Sequence, residues 1–105
     1  MSIGRISMME FTTEEALESA EQFYDRIRAE AFPTLELVVN VRTGPTSLMS
    51  LAIYPNDESA SSNLEARSKF QKEIEKTLTD SFFHEGKVSY FYQPKKEPKK
   101  KNPEV

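Results

Sequence analysis

At 105 residues and 37% apolar content the chain is of single-domain size, and folding at this length removes roughly two-thirds of the unfolded surface from water, so one core is expected. The absence of cysteine excludes disulfides, thiolate metal sites, CxxC redox chemistry and a cysteine nucleophile, and fits a cytoplasmic setting. The net charge of −3 is unevenly divided: residues 94–105 hold five Lys against Glu97 and Glu104, so the body before them carries about −6, which argues against nucleic acid as a partner.

The opening "MSIGRISMMEF" has no apolar run long enough for a secretory signal or a bilayer span, so a soluble protein without membrane contact is expected. Arg5 to Phe11 carries no helical stripe and reads as the first strand. In "TTEEALESAEQFYDRIRAEAF" the period changes. Thr12 with Glu15 offers a capping box, and Ala16, Leu17, Ala20, Phe23, Tyr24, Ile27 and Ala31 make one apolar face that Pro33 terminates.

"TLELVVNVRTGPTSLMSLAIYPND" predicts a hairpin, with strands at Leu35 to Arg42 and Ser47 to Tyr54 around Gly44-Pro45. Asp57 or Ser59, or Ser62 with Glu65, then caps a second helix with Leu64, Phe70, Ile74 and Leu78 as its stripe and Arg67 among the residues on its wet side. After a turn at His84, Glu85 and Gly86, "KVSYFYQ" reads as the last strand, with Val88, Tyr90 and Tyr92 on one face. Residues 1–93 form the domain, and 94–105 read as a mobile, lysine-rich tail.

Strand, helix, strand, strand, helix, strand is the ferredoxin-like α+β order, βαββαβ, which implies an antiparallel four-stranded sheet ordered 4-1-3-2 with both helices on one face. Leu35, Leu37, Val39 and Val41, with Met49, Leu51 and Ile53, are the more continuous apolar sets and are assigned to the helix-covered face. Glu36, Val38, Asn40 and Arg42, with Leu48, Ser50, Ala52 and Tyr54, then fall on the open face. About six apolar side chains there would expose on the order of 500 Å², at the limit for a monomer, so a homodimer paired through the open sheet face is expected.

This order, with the semi-apolar open face, resembles the dimeric α+β barrel superfamily, which includes antibiotic-biosynthesis monooxygenase-like proteins, over about residues 5 to 93. The resemblance implies ferredoxin-like subunits with paired sheets and, in active members, ligands held between sheet and helices. Members that degrade haem use an Asn, Trp and His set. With no Trp in the chain, that activity is not carried over.

Asn40 and Arg42 are candidates to orient an anionic or carbonyl-bearing ligand, the plainer alternative being hydrogen bonding at an interface or edge. Tyr54, Tyr90 and Tyr92 are candidate pocket hydroxyls or, more plainly, core and interface anchors. His84 is a candidate general base or haem ligand, against an exposed turn residue beside Glu85. Glu14, Glu15, Glu18 and Glu21 sit at helical spacing without His partners, so neither a metal nor a cofactor is assigned. These readings give a small homodimer of unassigned molecular function that binds a small hydrophobic molecule. The alternatives are a cofactor-independent monooxygenase-like enzyme and an interaction module using the basic tail.

Overall fold

The computed structural model describes residues 1–94. Its elements are β1 (Ile3–Phe11), α1 (Glu14–Ala31), β2 (Leu37–Arg42), β3 (Ser47–Tyr54), α2 (Asp57–Ser61), α3 (Leu64–Ile74), a 3-10 turn (Glu75–Thr77) and β4 (Leu78–Lys87). The strands form one antiparallel sheet in the order β2-β3-β1-β4, the ferredoxin-like arrangement. The tail read at 94–105 lies outside the described residues except for Pro94.

Local chemistry sets most boundaries. The N-cap of α1 is Thr13 and not Thr12: the Thr13 hydroxyl accepts from the Ala16 N–H at 3.0 Å, while the Thr12 N–H is already donated to the Thr77 carbonyl. At the other end Phe32 donates its N–H to the Arg28 carbonyl and Pro33 follows. The second helical stretch is split. Asn56, rather than Asp57 or Ser59, caps α2 by accepting from the Ser59 N–H at 2.8 Å, and the buried Asn63 side chain donates to the Ser59 carbonyl and to the Thr34 hydroxyl at the break before α3.

The final strand differs from the expected one. β4 runs through the supposed turn, pairing Phe82 with Met8, His84 with Ile6 and Gly86 with Gly4, and it ends where "KVSYFYQ" begins. Thr79, Asp80 and Ser81 disguise it as a loop because an edge strand tolerates polar residues, and Gly86 reads as a turn although it sits within the ladder. Beyond β4, Val88 adds one bond, its N–H donated to the Ser2 carbonyl.

Register also reverses the expected faces. Val41, Met49, Met8 and Phe82 form one row across the sheet, Val39, Leu51, Ile6 and His84 the next, and this is the open face. The helices cover the alternate residues: Leu48 packs with Phe11, Leu17, Ala20 and Ile74 in the main core, and Tyr54 with Ile3 and Ala60 in a second cluster. Both faces are apolar enough to pack, so hydrophobicity alone does not choose between them. The polar residues of β2 do not bar the covered side, because Glu21 of α1 accepts hydrogen bonds there from Asn40 and Arg42, both at 2.9 Å.

The two faces are separable by mutation. Leu48→Lys places an ammonium in the core and is expected to abolish cooperative thermal unfolding, whereas Val41→Lys, at a position 45% exposed, keeps a native far-ultraviolet circular dichroism spectrum. The opposite pattern would restore the face assignment read from the sequence.

Candidate functional site

Between the sheet and the helices lies a cleft of about 70 Å³. Its floor carries Arg5, Ser7 and Met9 from β1 and Ser50, Ala52 and Tyr54 from β3, and its roof carries Tyr24 from α1 and Arg67 and Phe70 from α3. The room has a simple origin. Ser7 and Ser50 are directly paired, with Ala52 beside them, so small side chains occupy the centre of the covered face and cannot reach the helices.

Arg5 is the polar centre of the floor. It is only 3% exposed, its guanidinium carbon lies 4.9 Å from the centroid of the Tyr54 ring, and its Nη2 donates to the Ala60 carbonyl. Among the described residues the nearest carboxylate, Glu85, is 3.6 Å from Nε, and neither Nε nor Nη1 has a hydrogen-bond acceptor. Arg67 approaches from α3, stacked 3.6 Å over the Phe83 ring, with Nη2 reaching the Ser7 hydroxyl at 3.4 Å. Burial, and then the positive charge of Arg5, lower the Arg67 pKa.

Burial raises the Tyr54 phenol, with Arg5 opposing it, and pushes Tyr24 up to about 12 through burial first and its neighbour Tyr54 second. Both phenols are therefore protonated at neutral pH and able to donate. Partial burial acts to raise the Glu21 carboxyl, but the hydrogen bonds from Arg42 and Asn40 and the charge of Arg42 outweigh it and hold the group below its ordinary value. The site is rich in N–H and O–H donors and short of free carboxylates, which suits an oxygen-bearing ligand and not a cation.

Of the residues singled out from sequence, Asn40 and Tyr54 line the cleft, and Arg42 stands beside it on the same carboxylate as Asn40. All three are on the covered face, not the open one. His84 is on the opposite side of the sheet, edge-on to Phe82 at 4.5 Å, and Tyr90 lies past β4 at 83% exposure, so neither joins the cleft. Sequence reading missed Arg5, Ser7, Tyr24, Ser50 and Arg67. The available signal was Arg5 itself, a charge in register with Ile3, Met9 and Phe11 on a strand whose alternate residues are buried.

No protein-family model matches the chain, and no curated protein matches it in sequence. Solved structures do match in fold. A dimeric ferredoxin-like protein from an uncultured marine organism superposes with a TM-score of 0.70 at 18% identity, over 89% of this chain and 93% of that one. A variant of SnoaB, a cofactor-independent oxygenase from Streptomyces nogalater, gives 0.72 at 10% identity, covering 86% and 95%. A dimeric ferredoxin-like protein of unknown function from Thermobifida fusca gives 0.68 at 13% identity, covering 84% and 92%.

Because Glu21 has a folded pKa below its ordinary value of 4.5, its contribution to stability is complete above that pH and is lost as the pH falls through the folded value. Glu21→Gln is expected to lower stability at pH 7 by about 0.5–1 kcal/mol, the scale of a partly exposed ion pair. In urea titrations the gap to the parent protein should close as the pH drops below the folded value, and a gap independent of pH would refute the assignment.

Proposed function

We propose that this protein is a homodimer paired through its open sheet faces, and that the cleft in each subunit binds a small, largely apolar molecule with a polar end. The ligand reading is carried by the cleft itself, where Arg5, Ser7, Tyr54, Arg67 and Tyr24 converge between Met9 and Phe70. Apolar walls with a few converging polar groups are the usual anatomy of a small-molecule site.

The dimer reading is supported by what the open face presents. Met8 is 40% exposed, Val39 and Val41 each 45%, and Phe82 52%, in adjoining rows. A patch on the order of 500 Å² is at the limit of what a monomer ordinarily leaves wet, and at about 25 cal/mol per Å² its burial supplies roughly 12 kcal/mol gross per subunit. The face has a polar border. Glu10 accepts from the Ser47 and Thr46 hydroxyls, which lower its carboxyl pKa and keep a charge at the margin of the rows. The dimeric ferredoxin-like proteins of the same fold add support.

A second reading, a cofactor-independent oxygenase, is favoured by the shared fold of SnoaB and by the same convergence of donors, and it would draw its polar groups from Arg5, Asn40, Tyr54 and Arg67 and not from His84. We place the protein in the cytoplasm, on the absence of cysteine. No helix among the described residues is long and apolar enough to cross a membrane.

Light scattering over a dilution series is expected to give a dimer for the parent chain and a folded monomer for Met8→Lys. A folded parent monomer at micromolar concentration would remove the pairing. For the cleft, calorimetry with neutral naphthamide is expected to show saturable binding that Ser50→Phe abolishes by filling the floor, and binding untouched by that substitution would place the site elsewhere.

A further inference from the structure

We infer that the cleft is selective for a monoanion: a flat, apolar molecule carrying one carboxylate, drawn by the guanidinium of Arg5 in the cleft floor. The inference rests on the cleft proposed above as the binding site and adds the charge of what it takes. A guanidinium is seldom left buried with idle N–H groups, because each loses its water and gains nothing in exchange. Arg5 has two such groups, and it is buried to 3% exposure in the floor of the cleft.

The charges around Arg5 set the valence of the guest. Arg67 brings a second guanidinium from α3, and among the described residues Glu85 is the one carboxylate near Arg5, at 3.6 Å, too far for a hydrogen bond. Glu21 also faces the cleft, but its charge is matched by Arg42 and its oxygens are engaged by Arg42 and Asn40. One positive charge is left over. A single negative charge on the ligand neutralises it, and two would leave an excess buried charge. A bidentate grip by Arg5 uses Nη2 together with Nε or Nη1, so it draws on the group that also donates to the Ala60 carbonyl, while Tyr24 and Phe70 give an aromatic body its walls.

The test compares naphthoate, ionised at pH 7, with neutral naphthamide by calorimetry on the full chain. Naphthoate is expected to bind at least about tenfold more tightly, as a charge-assisted hydrogen bond implies, and naphthalene dicarboxylate less tightly than naphthoate. Arg5→Met should erase the preference for naphthoate, whose affinity falls at least about tenfold more than that of naphthamide. If Arg5→Met does not fold, Arg5→Lys, which keeps the charge but loses the fork, should reduce that preference several-fold. Equal binding of naphthoate and naphthamide to the parent protein would overturn the anion site and leave the cleft standing. A preference that survives in both Arg5 variants would overturn the role of Arg5, and binding of neither probe would remove the cleft reading as well.

Discussion

A four-stranded sheet has two faces, and the helices of this chain cover one of them. Most residues' environments follow from which side of the pleat they occupy, since a shift of one position along a strand carries a side chain from one face to the other, although Ile53, on the open side, is itself buried. Met8 and Met9 are adjacent in sequence, yet Met8 lies in the open rows and Met9 packs against the main core. The protein therefore holds a closed hydrophobic interior and an uncovered apolar surface within one sheet, separated by the thickness of a backbone.

The covered face is the more polar of the two, which is unusual enough to need a cause. Its polar groups are compensated by the helices that lie on it: Asn40 and Arg42 by Glu21 of α1, and Ser7 by Arg67 of α3. Arg5 is compensated only in part, by the Ala60 carbonyl, the Tyr54 ring and the more distant Glu85. Small residues at the centre of this face leave space above Arg5, so incomplete compensation and incomplete packing coincide. A void beside unsatisfied donors is polar enough to hold a guest, whereas a packing defect lined only by apolar atoms stays dry.

The sequence makes the order of elements legible because each period is local: the α1 stripe from Ala16 to Ala31 and the hairpin around Gly44-Pro45 need no tertiary information, and β3 falls at Ser47–Tyr54 as read. Both errors of arrangement concern pairing. The strand from Leu78 to Lys87 is recognised only through β1, because its own residues, including Asp80, Ser81 and Gly86, lack a strong β signature. The choice of covered face is likewise non-local, since the leading apolar sets Val39, Val41, Met49 and Leu51 look like core until Glu21 is placed opposite Asn40 and Arg42. Asn40 and Tyr54 were visible as site candidates. Arg67 was not, because on a helix stripe taken alone it falls among solvated charges, and only β1 and β4 lying beneath it turn it inward.

The two proposed functions share β1 at the centre of the sheet. Ile6 and Met8 point to the open face, while Arg5 and Ser7 point into the cleft, so any partner that buries the first pair also steadies the backbone carrying the second. Stabilisation of that kind acts on β1 from the side away from the ligand and adds no atom to the site. It matters most for Arg5, whose idle donors are useful only while the strand holds them at a fixed depth. An uncovered sheet leaves β1 supported by its two ladders and by the helices on one face, and β4 is an edge strand exposed along nearly all its length. Covering the open face would thus support the geometry of the cleft, which would link the proposed pairing of two chains to the precision of the proposed site.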